Sequence, residues 1–231
     1  MKRTLLLLLS IASLTGAPLR AAAPLTWLID SPTAETVDHY GYNVGFRLYS
    51  GGGVLTKTSF GVFPRLNVGF GLDAEQFVGS QTVDMNPPTL NVKFRFFDGK
   101  RHMPALALGY DGQGYFFDEP TDEYLQREKG LYLAGSGEVL VPKLTLHGGL
   151  NIYDFSEDEL YGFAAANYIY EDMIGLTFEA DNLRVARESR LNAGIRYYVT
   201  PSLGVDVAGR DLFAAGRKAE RVVLINYNGS F

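Results

Sequence analysis

The sequence predicts an all-β fold: a transmembrane antiparallel up-and-down β-barrel of about twelve strands, with short periplasmic turns and longer extracellular loops. Three observations predict it. Apolar and polar residues alternate with period two from Tyr40 to Phe231, the connections between these runs alternate between short and long, and an export-type N-terminus precedes them.

The first stretch reads as an export signal. Met1-Lys2-Arg3 is a positive start, Leu5 to Leu14 is an apolar core too short to span a bilayer, and Ala21-Ala22-Ala23 offers a cleavage site. Residues 1–23 are therefore taken as a signal peptide, 24–39 as a short periplasmic N-terminal segment, and 40–231 as the barrel. No other apolar run reaches the roughly 18 residues that a membrane helix needs.

The alternation then repeats strand by strand. Val44, Phe46 and Leu48 are interleaved with Asn43, Gly45 and Arg47; Leu66, Val68, Phe70 and Leu72 with Asn67, Gly69, Gly71 and Asp73. Leu90 to Phe96, Leu144 to Ile152, Ile174 to Phe178 and Leu191 to Val199 follow the same rule. Each run is close to the length a tilted strand needs to cross the apolar layer. Segments 104–116 and 160–170 have the weakest phase. Pro64-Arg65, 98–103, Val141-Pro142-Lys143, Glu171-Asp172 and Thr200-Pro201-Ser202 form one set of connections, nearly all minimal. The other set is Ser50-Gly51-Gly52-Gly53, 77–88, 118–129, 154–159, 183–190 and 212–220. Apart from its first member it is long and polar, which matches short inner turns and long outer loops.

Alternation alone fits a soluble barrel with apolar side chains inside or a membrane barrel with the polarity reversed. Export, the rhythm of the connections and Tyr or Phe near strand ends (Tyr42, Phe60, Phe63, Phe96, Tyr197) favour the membrane. The outer membrane of a Gram-negative bacterium is the expected address. Its lipid, lipopolysaccharide and barrel-assembly machinery are the expected partners. Tyr227 and the terminal Phe231 share a face with Val223 and Ile225 and read as an assembly signal.

Composition narrows the function classes. The chain has 26 Gly, 15 Phe and 14 Tyr but one Trp and no Cys, so disulfides, thiolate metal sites and a lipidated cysteine are excluded. A net charge of -5 speaks against nucleic acid as a partner.

Several stretches resemble the YjbH-like group of outer-membrane proteins, which is associated with exopolysaccharide production. They are Ser31-Pro32-Thr33-Ala34, Ser59-Phe60-Gly61-Val62, Arg65-Leu66-Asn67-Val68-Gly69, Pro104 to Asp111, and Arg190-Leu191-Asn192-Ala193-Gly194. The resemblance implies a barrel fold and an outer-membrane location, and names no site. If the barrel is a channel, the expected cargo is polysaccharide or small polar solutes.

No catalytic, cofactor or metal site emerges. None of His39, His102 and His147 lies in the His-x-Ser pattern of a lipid-active barrel enzyme. Ser136, Glu138 and His147 share a face across the Val141-Pro142-Lys143 turn, either as a conceivable nucleophilic set or as cross-strand filler. Acidic loop clusters at Asp154, Glu157, Asp158 and Glu159, and at Asp118, Glu119, Asp122 and Glu123, lack calcium-loop spacing. Arg184, Arg187, Arg190, Arg217 and Lys218 gather in later loops, where solvated charge or lipopolysaccharide contact would both account for them. The lumen is the expected functional surface, lined by Arg47, Lys57, Asp73, Lys93, Arg95, Asp111, Glu138, His147, Glu179, Arg196, Asp206 and Arg210. Near balance of charge suggests mutual pairing, such as Arg95 with Asp111 or Glu179 with Arg196. Inward Gly45, Gly69, Gly71, Gly109 and Gly149 leave space. An open channel and a closed structural or assembly barrel both remain possible on this reading.

Overall fold

The computed structural model describes residues 25–100, 103–121, 123–139, 141–155, 159–184, 189–213 and 218–231. The signal-peptide segment lies outside them. Its strands are β1 (Gly41–Tyr49), β2 (Gly53–Phe63), β3 (Leu66–Glu75), β4 (Asp84–Met85), β5 (Thr89–Phe97), β6 (Ala105–Asp111), β7 (Tyr115–Asp118), β8 (Glu123–Gln126), β9 (Gly130–Glu138), β10 (Leu144–Ile152), β11 (Tyr161–Tyr170), β12 (Ile174–Asp181), β13 (Arg190–Thr200), β14 (Leu203–Leu212) and β15 (Glu220–Ser230). All except β4, β7 and β8 form the wall, which makes twelve antiparallel wall strands. The ring closes where β1 pairs with β15, from Gly41 opposite Ser230 to Leu48 opposite Val223. Every wall strand therefore has two partners, and the barrel has no free edge.

Polarity settles which face meets lipid. Phe46, Phe70, Leu90, Phe94, Leu133, Leu150, Phe178, Ile195 and Val207 point outward and are exposed. Their strand neighbours Arg47, Asn91, Lys93, Asn151, Glu179, Arg196 and Asp206 are buried inside. An apolar exterior around a charged interior is unstable in water and stable in a bilayer. Exposed Phe63, Tyr170, Tyr197 and Phe231 ring the turn end, and Phe77, Phe155 and Phe213 the loop end.

Turn chemistry explains the connections. At the β1–β2 connection Gly51 and Gly52 both have φ near +79° and +78°. A Cβ on Gly52 would lie 2.0 Å from the Val78 carbonyl oxygen, so only glycine lets the following loop dock there. The weakly phased segment 160–170 is a regular strand. The other weak stretch is cut short: β6 leaves the wall after Asp111, and 112–126 folds into a separate hairpin of β7 and β8.

The N-terminal segment departs from expectation. Residues 26–37 do not hang below the barrel as a periplasmic tether; they pack inside it, and Asp38 and His39 at the base lie outside. Ser31, Thr33 and Ala34 have no exposed surface. Leu28 N–H donates to the Ser31 carbonyl at 3.0 Å, and Trp27 and Pro32 form an isolated bridge, so the segment makes a tight turn with Asp30 at its tip. It enters past Gly61, where a Cβ would sit 1.9 Å from the Asp38 carbonyl oxygen.

Candidate functional site: an occupied lumen

The lumen wall is charged because alternation sends every second residue inward, and charge in a confined space must find partners. The N-terminal segment supplies many of them. Near the turn end, Asn67 on β3 imitates a strand neighbour. Its Oδ1 accepts from Val37 N–H at 2.8 Å, and its Nδ2 donates to the Val37 carbonyl at 3.0 Å. Arg95 on β5 pairs with Glu35 at 2.8 Å and with Asp98 at 3.1 Å. Lys93, two residues earlier and on the same face, donates to the carbonyls of Thr26 at 2.6 Å and Glu35 at 3.2 Å.

Deeper in, the turn at residues 28–31 is gripped from several strands. The Glu179 carboxylate on β12 accepts the backbone N–H groups of Ile29 at 2.7 Å, Asp30 at 2.9 Å and Ser31 at 3.3 Å. Asn192, directly opposite Glu179 in the β12–β13 register, donates to the same carboxylate at 3.0 Å and to Asp30 at 3.2 Å. Asp30 in turn is clamped by Arg47 and Arg210, each at 2.8 Å. Arg47 also donates to the Ile29 carbonyl, and Arg210 to Glu220. Carboxylates with charged donors on two sides form the stronger class of hydrogen bond.

The β7–β8 hairpin covers the same ground from the loop side. Tyr115 lies against the guanidinium groups of Arg47 and Arg210, at 4.6 and 4.1 Å from its ring centre. Gln126 accepts from Arg210 at 2.8 Å. Trp27 sits 3.8 Å from Lys57 Nζ and edge-on to Tyr132. The cavity left between the segment, Arg47, Lys57 and Tyr115 is about 50 Å³, room for a water or two and no solute.

Most predicted lumen residues are inside, with different partners from those expected. Arg95 pairs with Glu35 rather than Asp111, and Asp111 takes Lys57 at 2.6 Å. Glu179 binds the segment's backbone rather than Arg196. Arg196 instead faces Asp206 in register across β13–β14 and holds it through two bonds, 2.6 and 2.8 Å. Asp73 accepts from Tyr49 at 2.7 Å and Asn86 at 3.1 Å. Glu138, on the same face of β9 as Ser136, is exposed at the turn end. The expected spaces are filled: the Tyr132 ring lies over Gly109 and the Phe163 ring over Gly149.

The conceivable nucleophilic set does not assemble with Glu138. Register places Thr145 opposite Glu138 and Ser136 opposite His147. Ser136 Oγ meets His147 Nδ1 at 2.8 Å while accepting Ala34 N–H at 2.8 Å. Among the described residues His147 Nε2 has no hydrogen-bond partner, so no carboxylate orients this ring from its far side. This serine and histidine anchor the segment. Among the described residues no three His, Asp or Glu side chains converge on a metal position; Asp122, Glu157 and Asp158 lie outside them. Of the loop cations, Arg184 pairs with Glu159 at 2.7 Å and Arg190 with Asp181 at 3.0 Å, while Arg187 and Arg217 lie outside the described residues. At the C-terminus Tyr227 and Phe231 face outward beside Tyr42.

Sequence reasoning passed over Asp30, Glu35, Asn67, Asn192 and Glu220. One signal was present: Trp27-Leu28-Ile29, with the chain's single tryptophan, is too apolar for a solvated tether.

No protein-family model matches this sequence, and no curated protein matches it either. Among solved structures, a KdgM porin superposes with a TM-score of 0.56 at 12% identity, over 83% of this chain and 99% of that one. A KdgM porin in complex with disordered oligogalacturonate gives 0.52 at 13% identity, with the same coverage. The NanC porin gives 0.43 at 12% identity, over 82% and 99%. At these identities the likeness is one of fold. With its inverted polarity and closed ring of twelve strands, the chain is an outer-membrane β-barrel of porin-like fold.

Proposed function

We propose that this barrel is an outer-membrane channel for saccharides, held shut by its own N-terminal segment. One observation carries the reading: the lumen is occupied by a separate stretch of chain, held largely through its main-chain groups, and not by side chains of the wall alone. The carbonyl and N–H groups of residues 26–37 bond to Lys93, Glu179, Ser136 and Asn67. Groups of this kind can exchange their partners for water, so these bonds do not by themselves fix the segment in place. The saccharide cargo rests on the resemblance to the YjbH-like group and on the oligogalacturonate seen with a porin of similar fold. Kinship with the YjbH-like group, and through it a link to surface polysaccharide, is part of the same proposal.

Planar-bilayer recording tests the channel. The mature chain is expected to be closed for most of the record, and deletion of residues 25–36 to give stable open steps. A second reading, a closed structural or assembly barrel, is favoured by ion pairs that knit the wall without the segment. Arg196–Asp206 and the Lys129–Asp181–Arg190 cluster are of this type. A deletion variant that folds and stays silent would establish that second reading.

A further inference from the structure

The segment does more than fill volume, because its contacts have a chemical pattern. Its two lumenal carboxylates each meet a basic pair: Asp30 meets Arg47 and Arg210, and Glu35 meets Arg95 with Lys93 bonded to its carbonyl. At the Asp30 end Glu179 offers a carboxylate to three donors in a row. The Trp27 ring of the segment meets the Tyr132 ring edge to face, with centres 5.9 Å apart.

Removing the segment takes Asp30 from Arg47 and Arg210, leaves Arg95 with Asp98 alone, and takes three donors from Glu179. Buried charges left in that state are costly, so whatever replaces the segment must restore the same features. It needs carboxylates at two points, neutral donors beside the first of them, and an edge of apolar C–H groups against Tyr132. Phosphate alone lacks the donors and the apolar edge, and a neutral sugar lacks the charge.

Resting on the channel reading above, we propose that the N-terminal segment is a resident ligand. It occupies a lumenal binding site for an acidic oligosaccharide, formed by Arg47, Arg210, Glu179, Lys93 and Arg95 with Tyr132 as its aromatic contact. Segment and saccharide exclude one another, so the cargo opens its own path by displacing the stand-in.

Trp27 reports the displacement, since it is the chain's single tryptophan. The mature protein in detergent is titrated with oligogalacturonate and, separately, with a neutral malto-oligosaccharide of equal length. The expected result is a saturable red shift of Trp27 emission with the acidic probe alone. Asp30→Asn weakens the segment's hold, and the shift then occurs at about tenfold lower saccharide. In protein lacking residues 25–36, calorimetry is expected to show oligogalacturonate binding that weakens at least about tenfold when Arg47→Gln and Arg210→Gln are added. Heat-modifiable migration establishes that each variant is folded, and Asp30→Asn in the full chain serves if the deletion is not. A deleted protein that conducts but treats both saccharides alike overturns this inference and leaves the channel standing. So does Trp27 emission indifferent to the acidic probe. A folded, silent deletion overturns the channel itself.

Discussion

The Glu179 carboxylate accepts the main-chain N–H of Asp30 at 2.9 Å, joining the later part of β12 to a turn 149 residues earlier in the chain. The bond ignores the side chain of its partner. It reads the curvature of the backbone, because three consecutive N–H groups converge on one carboxylate only when the chain is tightly turned.

Glu179→Gln presents an amide N–H₂ where the turn requires acceptors. It should cost the seated segment about 2–3 kcal/mol and leave the wall register unchanged. Acrylamide quenching of Trp27 is expected to rise while heat-modifiable migration persists; unchanged quenching would remove Glu179 from the latch.

Arg196 and Asp206 make a contrasting pair, since neither touches the segment. Arg196→Ala strands a buried carboxylate and should lower barrel stability by about 3–5 kcal/mol. Replacing Asp206 by Ala as well should recover most of that loss. Urea titration of the intact and doubly substituted proteins measures both numbers, and conductance in the plugged state should not change.

Ser136→Ala deletes the acceptor of Ala34 N–H and the partner of His147. Its expected effect is a loosening of the segment by about 1 kcal/mol, read as faster proteolysis near residues 25–39. Ester hydrolysis is expected to be the same before and after. A loss of hydrolysis on substitution would make this serine a nucleophile.

Gly61 tests the entrance. A Cβ there collides with the Asp38 carbonyl, so Gly61→Ala should drive the segment's base off the wall. Open steps resembling those of the 25–36 deletion are expected, with β2 still paired to β1 and β3. A silent, fully plugged Gly61→Ala protein would show that the base can slide aside.

The wall was legible in the sequence because its rules are local. Leu66, Val68, Phe70 and Leu72 alternate within a single strand, and the Phe63–Leu66 turn carries Arg65 at positive φ beside Pro64. Partners within the lumen follow from stagger between strands, which alternation does not specify; hence Arg196 met Asp206 and not Glu179. The plug was hidden for a related reason. Its contacts run from Ile29 to Glu179 and from Asp30 to Arg210, and it has no period of its own because it belongs to no sheet. The short run Trp27-Leu28-Ile29 was the one local sign. β6 ends early for a cause equally remote, namely that the following hairpin places Tyr115 on Arg47 and Arg210.

The barrel joins at a seam between β1 and β15, the first and last wall strands of the chain. Asp30 lies behind that seam, with Arg47 on β1 in one hand and Arg210 on β14, beside β15, in the other. A stretch synthesised before any strand is thus positioned to draw the two ends of the sheet together. Once they zip, the same stretch is enclosed like a mandrel inside the tube formed around it.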